Sequence, residues 1–142
     1  MKRPGNANDV RPERQPLWGH LPVHPMLCHL SDAYLAGMGE KKVSPASGLF
    51  QRTVMKFAAL WIPIEWPKRV AARPKMDQAV GGMRPGAFEE DRRKLAVAVR
   101  RFCTSNRDFR WATHPLVCVI SDSEWLRWGY SHADQHFRQF GC

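Results

Sequence analysis

Near the C-terminus the stretch S-H-A-D-Q-H-F places His132 and His136 four positions apart. At about 100° per residue of helix the two imidazoles differ by about 40° around the axis, so they stack on one face and can reach a single metal ion. A neutral imidazole nitrogen suits Zn, Ni or Fe, and Mn completes the set of divalent candidates. H-x-x-x-H is a weak signal alone, because helical histidines at this spacing are more often hydrogen-bonded or on the surface. A third donor strengthens it. His29 lies among Met26, Leu30 and Ala33 on an earlier helical pattern, and a bundle brings such a residue opposite another helix. Three histidines with open coordination positions make a catalytic type of site rather than a closed structural one.

The pair is not the H-E-x-x-H of zinc proteases, since Ala133 stands where that motif has its glutamate base. Asp134 is no substitute, because two residues from each histidine it points to the other side of the helix. Asp32, one turn after His29, is a candidate acceptor behind a metal-bound imidazole, with a solvated acid as the alternative. Tyr34 and Tyr130 share the helices of the proposed ligands and are candidate phenols near the site, with core packing as the alternative. His24 and His114 each precede a proline and read as turn or cap histidines, while His20 reads as solvated.

These residues need helices to hold them. Apolar positions from Val23 to about Met38 recur at helical spacing, and Gly37 and Gly39 supply a stop. Phe50, Val54, Phe57 and Trp61 predict a second helix, opened by Ser44, Pro45 and Ser47 and ended by Pro63. Residues 63–85 then form a long loop broken by proline and glycine, a length that points to function or poor order. A third helix follows Pro85, with Glu89, Glu90 and Asp91 near its start, Arg100 and Arg101 near its end, and Phe88, Leu95, Val99 and Phe102 on its apolar face. The run from Leu116 to Ile120 has strand-like composition but no partner, so it reads as a buried extended connection. Ser121 and Glu124 form a capping box for the last helix, whose stripe runs through Trp125, Trp128, Gly129, His132, His136, Phe137 and Phe140 before Gly141. Four helices without repeats or paired strands predict an all-α bundle over residues 23–142, preceded by an irregular arm over residues 1–22 whose visible anchors are Leu17 and Trp18.

The 142 residues are enough for one core. Net charge is +9, which invites an acidic partner, yet a net +7 falls within residues 41–75 while residues 21–40, which hold His29, carry −2. Helix-turn-helix spacing and interleaved aromatic and basic residues are both missing, which makes nucleic acid an unfavoured partner despite Lys41, Lys42, Lys56, Lys68, Arg69, Arg73 and Lys75. No apolar run reaches the length of a membrane span, and the start lacks the apolar core of a secretory signal, so the expected location is the cytoplasm. Cys28, Cys103, Cys118 and Cys142 contain no C-x-x-C pair and read mainly as buried reduced thiols.

The stretches HPMLCHLSDAYLAGMGEK, WPKRVAARPKMDQAVGG and EWLRWGYSHADQHFRQFG resemble the DinB/YfiT-like superfamily, in particular a bacterial subgroup of uncharacterised proteins. The resemblance runs from about Trp18 to the C-terminus. It implies a four-helix bundle with a long crossover loop, holding a divalent metal through an early histidine, matched by His29, and a histidine pair on the last helix, matched by His132 and His136. Better-known relatives are thiol S-transferases or thiol-dependent isomerases. Two departures stand out: the first bundle helix is truncated or missing, and the motif HPLFG reads HPLVC over His114 to Cys118. A missing helix exposes an apolar groove, which predicts a homodimer.

Three functions follow as expectations. The first is a metal-dependent thiol S-transferase or hydrolase acting on an anionic small molecule, drawn in by the basic flank. The second is a basic-surface nucleic-acid binder. The third is a structural or assembly bundle with a vestigial metal site.

Overall fold

A computed structural model of the chain describes residues 7–42, 60–61, 82–114 and 119–142. Among them are three α-helices, α1 (Val23–Gly37), α2 (Phe88–Cys103) and α3 (Asp122–Gln139), together with a short 3-10 helix, Ala7–Asp9. No β-strand occurs among the described residues, so the chain is all-helical there. The expected second helix lies outside them apart from Leu60 and Trp61, which are helical. Also outside are the loop through residue 81, residues 115–118 of the extended connection, and Lys56, Lys68, Arg69, Arg73, Lys75 and Cys118.

Each helix is bounded by local chemistry. α1 starts behind Pro22, and Pro25 sits in its first turn, where the missing N–H removes no helical bond. It ends where Gly39 takes φ 77°, with Gly39 N and Glu40 N donating back to Ala36 O and Leu35 O. α2 has acids in its first turn and Arg100 and Arg101 in its last, complementing the helix dipole. In α3 the capping box forms in both directions: Glu124 N donates to Ser121 Oγ at 3.3 Å and Ser121 N donates to Glu124 Oε2 at 2.7 Å.

α1 is the central element, packed on α2 along one side and on α3 along the other. Its side chains are buried almost all round, Met26, Leu27, Cys28 and Leu30 completely, as suits a helix with neighbours on several faces. Phe102 of α2 closes the junction, edge-on to Tyr34 of α1 and Trp125 of α3. Two glycines permit this closeness. A Cβ on Gly129 would stand 2.7 Å from Phe102 Cε1, and one on Gly37 would stand 3.0 Å from Phe102 and Trp125. The Tyr34 hydroxyl donates to Gly129 O at 2.8 Å, fixing α1 against α3.

The arm is tied to the end of α3. Leu17 N donates to Gln139 O at 2.7 Å, Arg14 donates to Phe140 O and Gly141 O, and Gln139 Nε2 donates to Trp18 O, so carbonyls at the helix end acquire partners. Its apolar anchor is Val10, 2% exposed, whereas Leu17 is 70% exposed. Of the cysteines, Cys28 is buried as expected, Cys142 is partly buried and Cys103 is exposed, all as free thiols.

Candidate metal centre

His29 faces α3 from α1, and the spacing of His132 and His136 turns both of them back toward it. One ring nitrogen from each lies within 4.8 Å of the others. His29 Nε2 and His132 Nε2 are 3.2 Å apart. The ring centroids of the three pairs are 5.2, 4.9 and 5.0 Å apart, so the imidazoles surround a common point. Among the described residues the donor set is three imidazole nitrogens, which fits a divalent transition ion.

Electrostatics favour the form that binds metal. Burial, and then the neighbouring imidazoles of His136, His29 and His114, push His132 well below the ordinary histidine value. Burial and His29 bring His136 down to about 4. Both are neutral at pH 7, and a neutral imidazole has a lone pair to donate.

His136 is oriented by a residue the sequence reading passed over. Its Nδ1 lies 3.1 Å from Gln139 Oε1, and the Gln139 amide nitrogen donates to Trp18 O at 2.8 Å. The acceptor at Nδ1 selects the tautomer that leaves Nε2 free of its proton. Gln139 is three positions after His136, so helical periodicity carried the signal.

Two expected supporting residues are placed elsewhere. Asp32 is 1% exposed and is neither solvated nor behind an imidazole: Oδ1 accepts from Lys41 Nζ at 2.7 Å and Oδ2 from Met83 N at 2.7 Å. It ties Lys41, just after α1, and Met83, just before α2, to α1. Tyr130 is 59% exposed, because two positions before His132 a side chain points to the far side of α3. Tyr34 is buried as core packing predicted, its phenol held protonated by burial. Asp134 bonds Arg138 at 2.8 Å, away from the cluster, as its register required.

His114 is buried, 3% exposed. Its ring centroid is 4.9 Å from Trp128, which is 5.0 Å from His132, so a fourth histidine stands one indole behind the cluster. Burial brings it down to about 3. His24 is no simple cap, since its Nε2 meets Asp91 Oδ2 of α2 at 2.8 Å. Of the basic residues proposed for nucleic acid, Lys41 is committed to Asp32.

No helix among the described residues is long and apolar enough to cross a membrane. No family model, no curated protein and no solved structure matches the chain.

Proposed function

We propose that this chain is a DinB-like metal protein in which His29, His132 and His136 hold one divalent ion, Zn, Ni, Mn or Fe, for chemistry on a small anionic molecule. The observation that supports this most is the convergence of three imidazoles from two helices, with ligand atoms within 4.8 Å and two of the rings held neutral by burial. Three uncharged donors leave the charge of an ion uncompensated, the arrangement used where a metal acts as Lewis acid rather than as staple. A bound ion would lower the pKa of a thiol or water at an open position, which fits thiol S-transfer or hydrolysis.

The chain's own part is positioning. Gln139 fixes the His136 tautomer and α1 presents His29 across from the pair. Tyr34 and Asp32 are engaged with Gly129 O and with Lys41 and Met83 N, so neither is assigned a part in the chemistry. The same proposal includes a fourth bundle helix from the Ser44 to Trp61 region and a homodimer in solution.

Elemental analysis of tag-free protein after incubation with Zn, Ni or Mn tests the site, with His29→Ala and His132→Ala as controls. One ion per chain lost in both variants is expected. A difference of less than about 0.1 ion per folded chain between the parent and the two histidine variants overturns the reading. If an ion binds, acceleration of a low-molecular-weight thiol reaction selects transferase, and bound metal without a thiol effect points to hydrolysis or to a structural bundle.

A further inference from the structure

Another face of α1, turned toward α2, carries a different set of donors. His24 and Cys28 are four positions apart and share that face. Asp91 of α2 meets them there, and one donor atom from each residue lies within 4.8 Å of the others. His24 Nε2 stands 2.8 Å from Asp91 Oδ2, and Cys28 Sγ stands 3.8 Å from the same oxygen. Nitrogen, oxygen and sulfur ligands on a tetrahedral zinc ion are about 3.3–3.8 Å apart. The three side chains are therefore close to a coordinating arrangement, with the direct bond between His24 and Asp91 standing where an ion would come between them.

The surroundings hold the donors in place. Cys28 is fully buried and Asp91 is 1% exposed, while the His24 side chain is 24% exposed and leaves a route from solvent. Gly86 N donates to Asp91 Oδ2 at 2.7 Å and Lys94 Nζ to Oδ1 at 3.2 Å, orienting the carboxylate as the partners of metal ligands do. Burial works to raise the Asp91 carboxyl, but the bonds from Gly86, His24 and Lys94 outweigh it and bring it down to about 2. Cys28 is pushed up to about 12, by burial first and then by Asp91. A cation between thiol and carboxylate reverses that repulsion.

We propose that His24, Cys28 and Asp91 form a second metal site, distinct from the three-histidine centre, that takes a thiophilic divalent ion such as Zn2+. On binding, the Cys28 S–H bond breaks and its proton leaves to solvent, and the sulfur electron pair forms the bond to the ion. His24 moves its proton to Nδ1 and gives the Nε2 lone pair. Asp91 keeps Gly86 and Lys94 as donors, and the ion replaces its bonds to His24 and Cys28. With one donor from α2 and two from α1, the site clamps the helix that presents His29.

Cobalt substitution of the full chain separates this site from the histidine centre, because only a sulfur ligand gives a thiolate-to-cobalt charge-transfer band in the near ultraviolet. Tag-free protein with Cys103, Cys118 and Cys142 replaced by Ser, stripped with chelator and titrated with Co2+, is expected to show the band and to take two ions. Cys28→Ala abolishes the band and one ion. His132→Ala removes the other ion and leaves the band, so failure of the histidine centre is seen separately. His24→Gln, checked by circular dichroism, weakens the Co2+ affinity read from the band at least about tenfold and serves if Cys28→Ala does not fold. A folded protein that shows no band, or a band unchanged in Cys28→Ala or His24→Gln, overturns the site and leaves these residues as a hydrogen-bonded joint between α1 and α2.

Discussion

His29 Nε2 lies 3.2 Å from His132 Nε2 across the boundary between α1 and α3, two residues separated by 103 positions in the chain. One of these nitrogens must carry a proton for the contact to be a hydrogen bond, and an ion bound between them would take that proton's place. The consequence for the metal-free protein is a pH-dependent stability. His136 is depressed to about 4 and His114 to about 3, in both cases chiefly by burial, from an ordinary 6.5. Between those values the unfolded chain binds more protons than the folded one, so stability rises with pH there. We expect the urea midpoint of chelator-treated protein to be level above pH 7 and to fall as the pH is lowered from about 6.5 toward 4. A midpoint that holds steady or rises over that interval contradicts neutral buried imidazoles.

Gln139 links the histidine cluster to the arm, since it accepts from His136 Nδ1 and donates to Trp18 O. Loss of a partner behind a ligating imidazole typically weakens metal affinity about 10–100-fold. Gln139→Leu is therefore expected to weaken Zn2+ binding by that order while the helical content stays unchanged. Competition with a chromophoric chelator measures it. Gln139→Glu keeps an acceptor at the same place and should recover most of the affinity, which a purely structural role would not predict.

The parts of this fold legible in the sequence are those governed by near neighbours. Ser121 and Glu124 announce the start of α3, Gly39 and Gly141 mark helix ends, and the four-residue interval between His132 and His136 sets their common face. Those rules act within one or two turns, and α1 and α3 follow them. The partners of Asp32 and His24 were not legible, because Lys41, Met83 and Asp91 come from other parts of the chain and no spacing rule joins them. Val10 escaped for another reason: the arm has no periodicity, so nothing distinguished a buried valine from the exposed Leu17. Gln139 was legible, since it lies three positions after His136 on the same face of α3.

Asp32 provides a test of that distinction. Its carboxylate is buried and meets Lys41 Nζ and Met83 N, both at 2.7 Å, and it has no bond to an imidazole among those contacts. Asp32→Asn keeps the shape but removes the charge facing Lys41 and leaves one side of the amide with a donor against a donor. A loss of about 1–3 kcal/mol in unfolding free energy is expected, the cost of an imperfectly satisfied buried group. Zn2+ affinity at the histidine centre should stay within about twofold of the parent, well short of the about 10–100-fold loss that removal of a ligand's partner gives. A tenfold fall in affinity with stability unchanged would instead place Asp32 behind His29.

Gly129 sets how closely α3 can approach the other two helices. A Cβ there would lie 2.7 Å from Phe102 Cε1 and 3.1 Å from Tyr34 Cε1, and neither ring has room to withdraw: Phe102 is 1% exposed and Tyr34 4%. Phe102 is also in edge contact with Trp111 and Trp125, so moving it disturbs a whole aromatic group. Alanine is the better helix former by about 1 kcal/mol, and overpacking a filled core costs about 1–3 kcal/mol. The steric cost wins, and Gly129→Ala is expected to destabilise the protein by up to about 2 kcal/mol in urea unfolding. Because His132 lies on the next turn, displacement of α3 also separates it from His29, so Zn2+ affinity should fall in the same variant. Pairing the change with Phe102→Leu, which vacates space beside the new methyl, should restore affinity more than it restores stability, since the smaller side chain itself leaves core volume unfilled.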